Sequence, residues 1–281
     1  MARSDWHRPS EFSAPEGRRR VALTLCYDGR AFCGWQTQNG WPSVQQTLLE
    51  AVVKLTGIND ITICGSGRTD SKVHAMGQVA HIELPSSCTL PAKAFLHGLN
   101  ALLPYTVRIT ESSDADPSFH ARYSAMAREY RYFWAVTPRH NPFLEGLVSP
   151  VREIPDIGLL NAYAEVLKGT HDFTTFTGSG DQSPSKVRDI YLSDFEAVQS
   201  FHNVPMVRYR ICGNAFLYHM VRSLCGTMMG MALEGRSAGE FRDILDSKDR
   251  SRALKTADPG GLYLWRISYD PEEFRWFEEL H

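Results

Sequence analysis

The chain has 281 residues, of which 43% are hydrophobic and 22% charged, and it carries a formal net charge of −2. That balance describes a chain able to bury a substantial core and excludes a collagenous, low-complexity or strongly polybasic one. A local basic strip is still allowed, because electrostatic footprints are local. Six cysteines, at 26, 33, 64, 88, 212 and 225, form no C-x-x-C pair. They read as reduced thiols, with neither a zinc site nor a disulfide framework.

Residues 1–19 are polar, hold Pro9 and Pro15 and lead into Arg18-Arg19-Arg20, so a disordered or extended tail is expected there. The start lacks the apolar stretch of a signal segment, and a cytoplasmic protein is expected. Arg20 to Tyr27 is rich in strand formers and ends on the turn signal Asp28-Gly29. Ser43 caps a helix whose stripe is Val44, Leu48, Leu49, Val52, Val53 and Leu55, with Gln46 at the capping-box position and Gly57 as its stop. Strands are expected over 60–64 and 77–84, a helix over 91–102 and a strand over 105–111. The order is βαββαβ.

The second half repeats that order approximately. A strand over 129–136 precedes a helix over 159–168 that Gly169 stops, and strands over 187–198 and 204–212 flank a loop around Phe201-His-Asn203. A long apolar helix over 216–234, a shorter one over 238–246 and a strand over 261–269 follow. Ala215 to Leu233 contains His219 and Arg222, so it is a buried core helix and not a membrane span. The expected fold is α+β: two pseudo-duplicated, ferredoxin-like βαββαβ halves, residues 20–116 and 117–281. A mostly antiparallel sheet joins them, with helices on one side and a central catalytic cleft.

Cys64-Gly-Ser-Gly-Arg-Thr-Asp-Ser-Lys-Val-His-Ala-Met-Gly-Gln-Val-Ala-His81 concentrates the chemistry. It reads as strand, Gly-rich turn, strand, and the turn offers Arg68 and Asp70 to a ligand. Asp70 is either a turn cap bonded to its own backbone or a catalytic carboxylate. Arg222 lies among apolar and small neighbours, where a guanidinium needs a carboxylate or phosphate partner unless it snorkels out from the helix end. A pair with Asp70 would keep that carboxylate ionised. Tyr130 and Tyr132 alternate on a strand near His120, Arg122, Arg128 and Arg131. That is either an aromatic core strand or a base-stacking, phosphate-holding strip. Gly65-Ser-Gly67 matches neither a phosphate loop nor a dinucleotide fingerprint. His74 and His81 lack ligand-spaced partners, so no metal site is expected, and Cys64 reads as structural. Two rival functions share this frame: a non-catalytic RNA-binding or chaperone protein, and a carboxylate enzyme acting on a small molecule.

Several motifs together resemble the tRNA pseudouridine synthase A family. They are Gly67-Arg-Thr-Asp-Ser-Lys-Val-His74, Tyr27-Asp-Gly29, Gly34-Trp-Gln36, Phe119-His-Ala-Arg-Tyr123, Arg128-Glu-Tyr-Arg-Tyr132, Asp172-Phe-Thr174, Asn214-Ala-Phe-Leu-Tyr-His-Met-Val-Arg222 and Gly261-Leu-Tyr-Leu264. They run in the family's order from about residue 20 to 270. The resemblance implies isomerisation of uridine to pseudouridine in the tRNA anticodon stem-loop, at positions 38 to 40, by a homodimer without cofactor or metal. It implies Asp70 as the catalytic aspartate, Arg68 as an RNA contact that helps hold the flipped nucleotide, Tyr130 as the ring stacked on the uracil and Arg222 as the partner of Asp70. Leu264 or Leu262 would pack against the ring. Phe119, His120, Ala121, Arg122 and Tyr123, with Gln182, Ser183, Pro184, Ser185 and Lys186, would contact tRNA. Ser71-Lys72 departs from the Ala-Gly of many members, and Ser66 replaces a common Ala.

Overall fold

The computed structural model describes residues 12–137, 141–199 and 203–270. The chain divides into two compact units, residues 1–126 and 127–281, later than the expected 116/117. Residues 117–126 stay with the first unit because its interior claims their backbone. The Arg20 guanidinium donates to the carbonyls of Pro117 (3.2 Å) and Phe119 (2.9 Å), and the Ala121 N–H donates to His81 Nδ1 at 3.1 Å. Of the expected tail, residues 1–11 lie outside the described residues. From Phe12 onward the segment is held: the Phe12 carbonyl accepts from Arg20 at 2.6 Å and the Ala14 N–H donates to the Pro117 carbonyl at 2.7 Å. Arg18 and Arg19 already belong to the first strand.

The first unit runs β1 (Arg18–Tyr27), α1 (Val44–Thr56), β2 (Thr62–Gly65), β3 (His74–Pro85), α2 (Ala92–Leu102) and β4 (Val107–Ala115). Its strands neighbour one another as β4–β1–β3–β2, every pair antiparallel. In β1, Val21, Leu23, Leu25 and Tyr27 are buried at alternate positions, the period that a half-buried strand requires. Ser43 caps α1 by accepting the Gln46 N–H, and Gly57 ends it in the left-handed conformation. The Gln46 side chain bonds Glu50 at 2.9 Å, so the expected box is half made. A complete box forms instead at Ser237 and Glu240.

The second unit runs β5 (Ala127–Val136), β6 (Ser149–Val151), α3 (Ile157–Val166), β7 (Gly169–Asp172), β8 (Val187–Gln199), β9 (Pro205–Gly213), α4 (Met220–Leu233), α5 (Ala238–Asp246) and β10 (Leu262–Ser268). Its strands neighbour as β10–β5–β9–β8–β7, all antiparallel, while β6 runs parallel to the end of β5. Helix α4 starts four residues after the expected Phe216, because His219 sits at φ +61°, a left-handed backbone that no right-handed helix passes through. The expected loop around residues 201–203 falls mostly outside the described residues. Strands β6 and β7 are new; at three and four residues they are too short to show a period.

A seam runs along α4. The backbone of residues 254–257 lies against it: a Cβ on Gly226 would come within 2.0 Å of the Lys255 carbonyl. Thr227 Oγ1 accepts the Leu254 N–H at 3.1 Å, and Arg222 exchanges two bonds with Ala257, donating from Nε and accepting at its carbonyl, both at 3.0 Å.

Candidate active site

The link between β2 and β3, residues 66–73, is braced on several sides by residues of the first unit. Beneath it, Ser66 Oγ donates to Gln78 Oε1 at 2.6 Å, and Gln78 Nε2 donates to the Gly67 carbonyl at 3.1 Å. Gln78 is fully buried, and its bond with Ser66 forms away from competing water. Tyr27 shares a buried 2.8 Å hydrogen bond between its hydroxyl and that of Thr69, the residue before Asp70. On another side, Trp35 N–H donates to the Thr69 carbonyl (3.1 Å) and Lys72 N–H to the Phe32 carbonyl (3.2 Å).

Three glycines permit this approach. A Cβ on Gly29 would stand 2.2 Å from the Val73 carbonyl oxygen, one on Gly34 2.6 Å from that of Thr69, and one on Gly65 2.6 Å from the Trp35 indole. The motifs Tyr27-Asp-Gly29 and Gly34-Trp-Gln36 are therefore the frame of the turn. Sequence reasoning missed that role, although the glycines themselves were visible.

On this frame Arg68, Ser71 and Lys72 are exposed and Asp70 is half-buried. The Asp70 carbonyl accepts the Val73 N–H at 3.1 Å, which closes the turn through the backbone. Lys72 adopts φ +65°, where an L side chain is strained and glycine is not. Hence the departure at Ser71-Lys72 strains one residue and leaves the turn closed. Lys72→Gly is expected to raise stability by about 0.5 kcal/mol. Lys72→Ala, which keeps the strain while removing the charge, should give no gain when the melting temperatures are compared.

Beside the turn, β3 and the segment 119–123 gather Cys64, His81 and His120, their ligand atoms within 4.8 Å of one another. Of His74 and His81, expected to lack ligand-spaced partners, His81 has them in space, but the chemistry is not that of a metal site. His81 Nδ1 accepts the Ala121 N–H, and His120 Nδ1 accepts the N–H groups of Arg122 (3.1 Å) and Tyr123 (3.3 Å). Both rings therefore carry their proton on Nε2, and His120 Nε2 meets Cys64 Sγ at 3.7 Å. Burial pushes the Cys64 thiol up, against the pull of Arg122, Arg20 and Arg68, so it stays protonated. Those three guanidiniums, felt at one sulfur, place Arg68 and Arg122 in a shared basic neighbourhood. Within 119–123, Arg122 and Tyr123 are exposed, whereas Ala121 is fully buried and His120 organises the turn from inside.

Burial, with His120 and Arg20 adding to it, lowers the His81 pKa to about 3. Since the folded value lies below the unfolded one of about 6.5, His81 stabilises the fold fully above pH 6.5 and progressively less as pH falls. His120 is lowered by burial and adds in the same direction. Unfolding in urea should therefore show a loss of about 2 kcal/mol between pH 6.5 and 5 from His81. His81→Asn, which keeps an acceptor for Ala121, should flatten that limb.

In the second unit, Tyr130 lies on β5 directly opposite Leu264 of β10 and Ile211 of β9. Its ring packs edge-on against Phe216 at 5.1 Å, and Leu264 is fully buried. Leu262 stands opposite Tyr132, two pairs further along. Arg222 is half-buried on the first turn of α4, close enough to Cys225 and Tyr132 to act on both electrostatically. In the segment 182–186, Gln182, Pro184 and Ser185 are exposed. Lys186 is committed inward: its ammonium pairs with Asp181 and donates to the carbonyls of Asp181 (3.3 Å) and Ser183 (3.2 Å). Burial alone would raise the Asp181 carboxyl, but Lys186 and the N–H groups of Tyr218 and Ser183, each at 2.8 Å, hold it well below the usual range. Asp181 thus ties this loop to Tyr218, just before α4, a link no sequence signal announced.

A braced loop carboxylate beside arginines and exposed rings is suited to an enzyme that works on nucleic-acid bases. A family model described as tRNA pseudouridine synthase matches residues 26–124 and 163–270. Among curated relatives, the tRNA pseudouridine synthase A of Bacillus subtilis is 38% identical over 252 residues, covering 89% of this chain and 99% of that protein. The protein of the same name from Anoxybacillus flavithermus is 40% identical over 252 residues, covering 90% and 99%. That of Treponema denticola is 38% identical over 263 residues, covering 92% and 95%. The chain belongs to the tRNA pseudouridine synthase family.

Proposed function

We propose that this protein isomerises uridine to pseudouridine in the anticodon stem-loop of tRNA, at positions 38 to 40, with Asp70 as the acting carboxylate. The observation that carries the assignment is the bracing of residues 66–73, in which Tyr27, Gly29, Gly34, Trp35 and Gln78 all serve to hold the turn bearing Asp70. A group held so firmly is preorganised for a substrate.

The reaction breaks the N1–C1′ bond, turns the freed uracil and joins C5 to C1′. Asp70 serves it by adding to C6 or C1′ or by removing the C2′ proton, and each route needs an ionised carboxylate. The target base must leave its stack, at a few kcal/mol. Stacking on Tyr130 returns about 1–3 kcal/mol of that, with Leu264 fixing the ring from the neighbouring strand. Arg222 is assigned as the guanidinium that keeps Asp70 ionised, and Arg68 and Arg122 as phosphate contacts. Tyr123, with Gln182, Pro184 and Ser185, completes the RNA-facing set.

The two units are read as a duplication. The orders β4–β1–β3–β2 and β10–β5–β9–β8 are the same ferredoxin-like arrangement, entered by the same βαββαβ succession with β6, β7 and α5 as additions. A homodimer acting in the cytoplasm completes the proposal. Tritium release from tRNA labelled with [5-³H]uridine tests the activity: wild-type protein should release it in step with pseudouridine formation. Binding without release would favour a chaperone instead.

A further inference from the structure

Beyond the turn that carries Asp70, the first unit holds an indole out in water. Trp41 is 64% exposed, unusual for the side chain with the largest apolar surface to hide. We propose that Trp41 is a stacking platform for an unpaired nucleobase of the bound RNA next to the target uridine. This inference rests on the tRNA reading above.

The backbone that carries the ring is fixed. Gly40 turns the chain at φ +80°, the Trp41 N–H donates back to the Gln38 carbonyl at 3.4 Å, and Gln38 Nε2 donates to the Cys33 carbonyl at 3.2 Å. The Cys33 N–H donates to the Pro42 carbonyl at 2.8 Å, and Pro42 itself confines Trp41 to extended backbone. A residue braced in this way has already lost much of the freedom that binding would otherwise cost.

Its location follows from the same bonds. Cys33 precedes Gly34, where a Cβ would stand 3.2 Å from the Asp70 carbonyl carbon and 3.3 Å from the Ser71 nitrogen. From Gly34 through Cys33 and across to Pro42 and Trp41 the Cα path is about 13 Å, a few nucleotides of single strand. Residues 31–43 carry no acidic side chain, and on the adjacent turn the exposed Arg68 and Lys72 outnumber Asp70, so the approach carries net positive charge toward a phosphate backbone. Every base has a π-face, and an indole stacks on it without selecting sequence.

The test uses an anticodon stem-loop RNA carrying 2-aminopurine at single positions flanking the target, together with steady-state kinetics on tRNA. With wild-type protein one flanking 2-aminopurine should be quenched on binding, and Trp41→Ala should abolish that quenching. It should also raise KM about five- to 150-fold, the range of one lost base stack, with the loss falling on KM more than on kcat. Trp41→Phe should retain most of both signals and Trp41→Leu should not. Quenching that survives Trp41→Ala, or a Leu variant equal to wild type, overturns the proposal. So does a change of oligomeric state in Trp41→Ala by sedimentation, which would assign the ring to a second copy of the chain. Should wild type bind and quench but release no tritium, the catalytic reading fails while the stacking assignment stands.

Discussion

Asp70→Asn should fold as the wild type does and lose at least about a thousandfold in tritium release. The substitution keeps size and hydrogen-bonding shape and removes the charge, so its effect isolates the carboxylate chemistry. Stability should hardly move, because the turn is closed by main-chain bonds, Val73 N–H to the Asp70 carbonyl and Trp35 N–H to the Thr69 carbonyl, and not by the Asp70 carboxylate alone. Circular dichroism and melting on the same sample separate the two effects. A variant that melts like wild type and works at wild-type rate would remove Asp70 from the chemistry and return it to the role of turn cap.

The second large effect is expected at Gly34. Its φ of +104° lies where L side chains are strained, and a Cβ would meet the Thr69 carbonyl oxygen at 2.6 Å. The Cβ has no rotamer to escape by and the oxygen belongs to the backbone, so relief requires the loop and the turn to part. Gly34→Ala should lose about 2–4 kcal/mol from strain and overpacking together. What remains folded should be far less active, since the displaced backbone is that of Thr69, Asp70 and Ser71. Gly57→Ala is the matched control: its φ is +72°, but a Cβ there meets nothing within 4 Å. It should lose only about 1 kcal/mol and keep full activity. Equal melting temperatures for the two variants would show that the close approach at Gly34 relaxes freely.

Much of this was legible in the residues because it depends on local pattern. The strand formers from Arg20 to Tyr27 and the turn signal at Asp28-Gly29 announced β1, Ser43 and Gly57 bounded α1 within a residue, and helix 238–246 was found at both ends. Short β6 and β7 carry too little pattern to be seen, and the left-handed His219 that delays α4 is a backbone event that composition does not encode. At the site, Asp70 and Arg68 stood out by type and spacing. What supports them did not, because Tyr27, Gln78 and Gly34 reach the turn through pairing across the sheet and close backbone approach. The gathering of Cys64, His81 and His120 depends on segments dozens of residues apart, and its tautomers on which backbone N–H points at each ring. The resemblance placed Lys186 among the tRNA contacts, yet its ammonium pairs with Asp181.

The strand neighbours described above also set a schedule for synthesis. Strand β1 is flanked by β3 and β4, so both of its pairings can form once residue 115 has left the ribosome, and Arg20 can bind the carbonyls of Pro117 and Phe119 as soon as those follow. The second unit has no such early closure. One flank of β5, the strand bearing Tyr130, is β10, more than a hundred residues later. Pairings this distant in sequence form slowly and leave strand edges open meanwhile. A chain stopped before residue 262 would thus leave β5 with an open edge beside the ring assigned to hold the uracil.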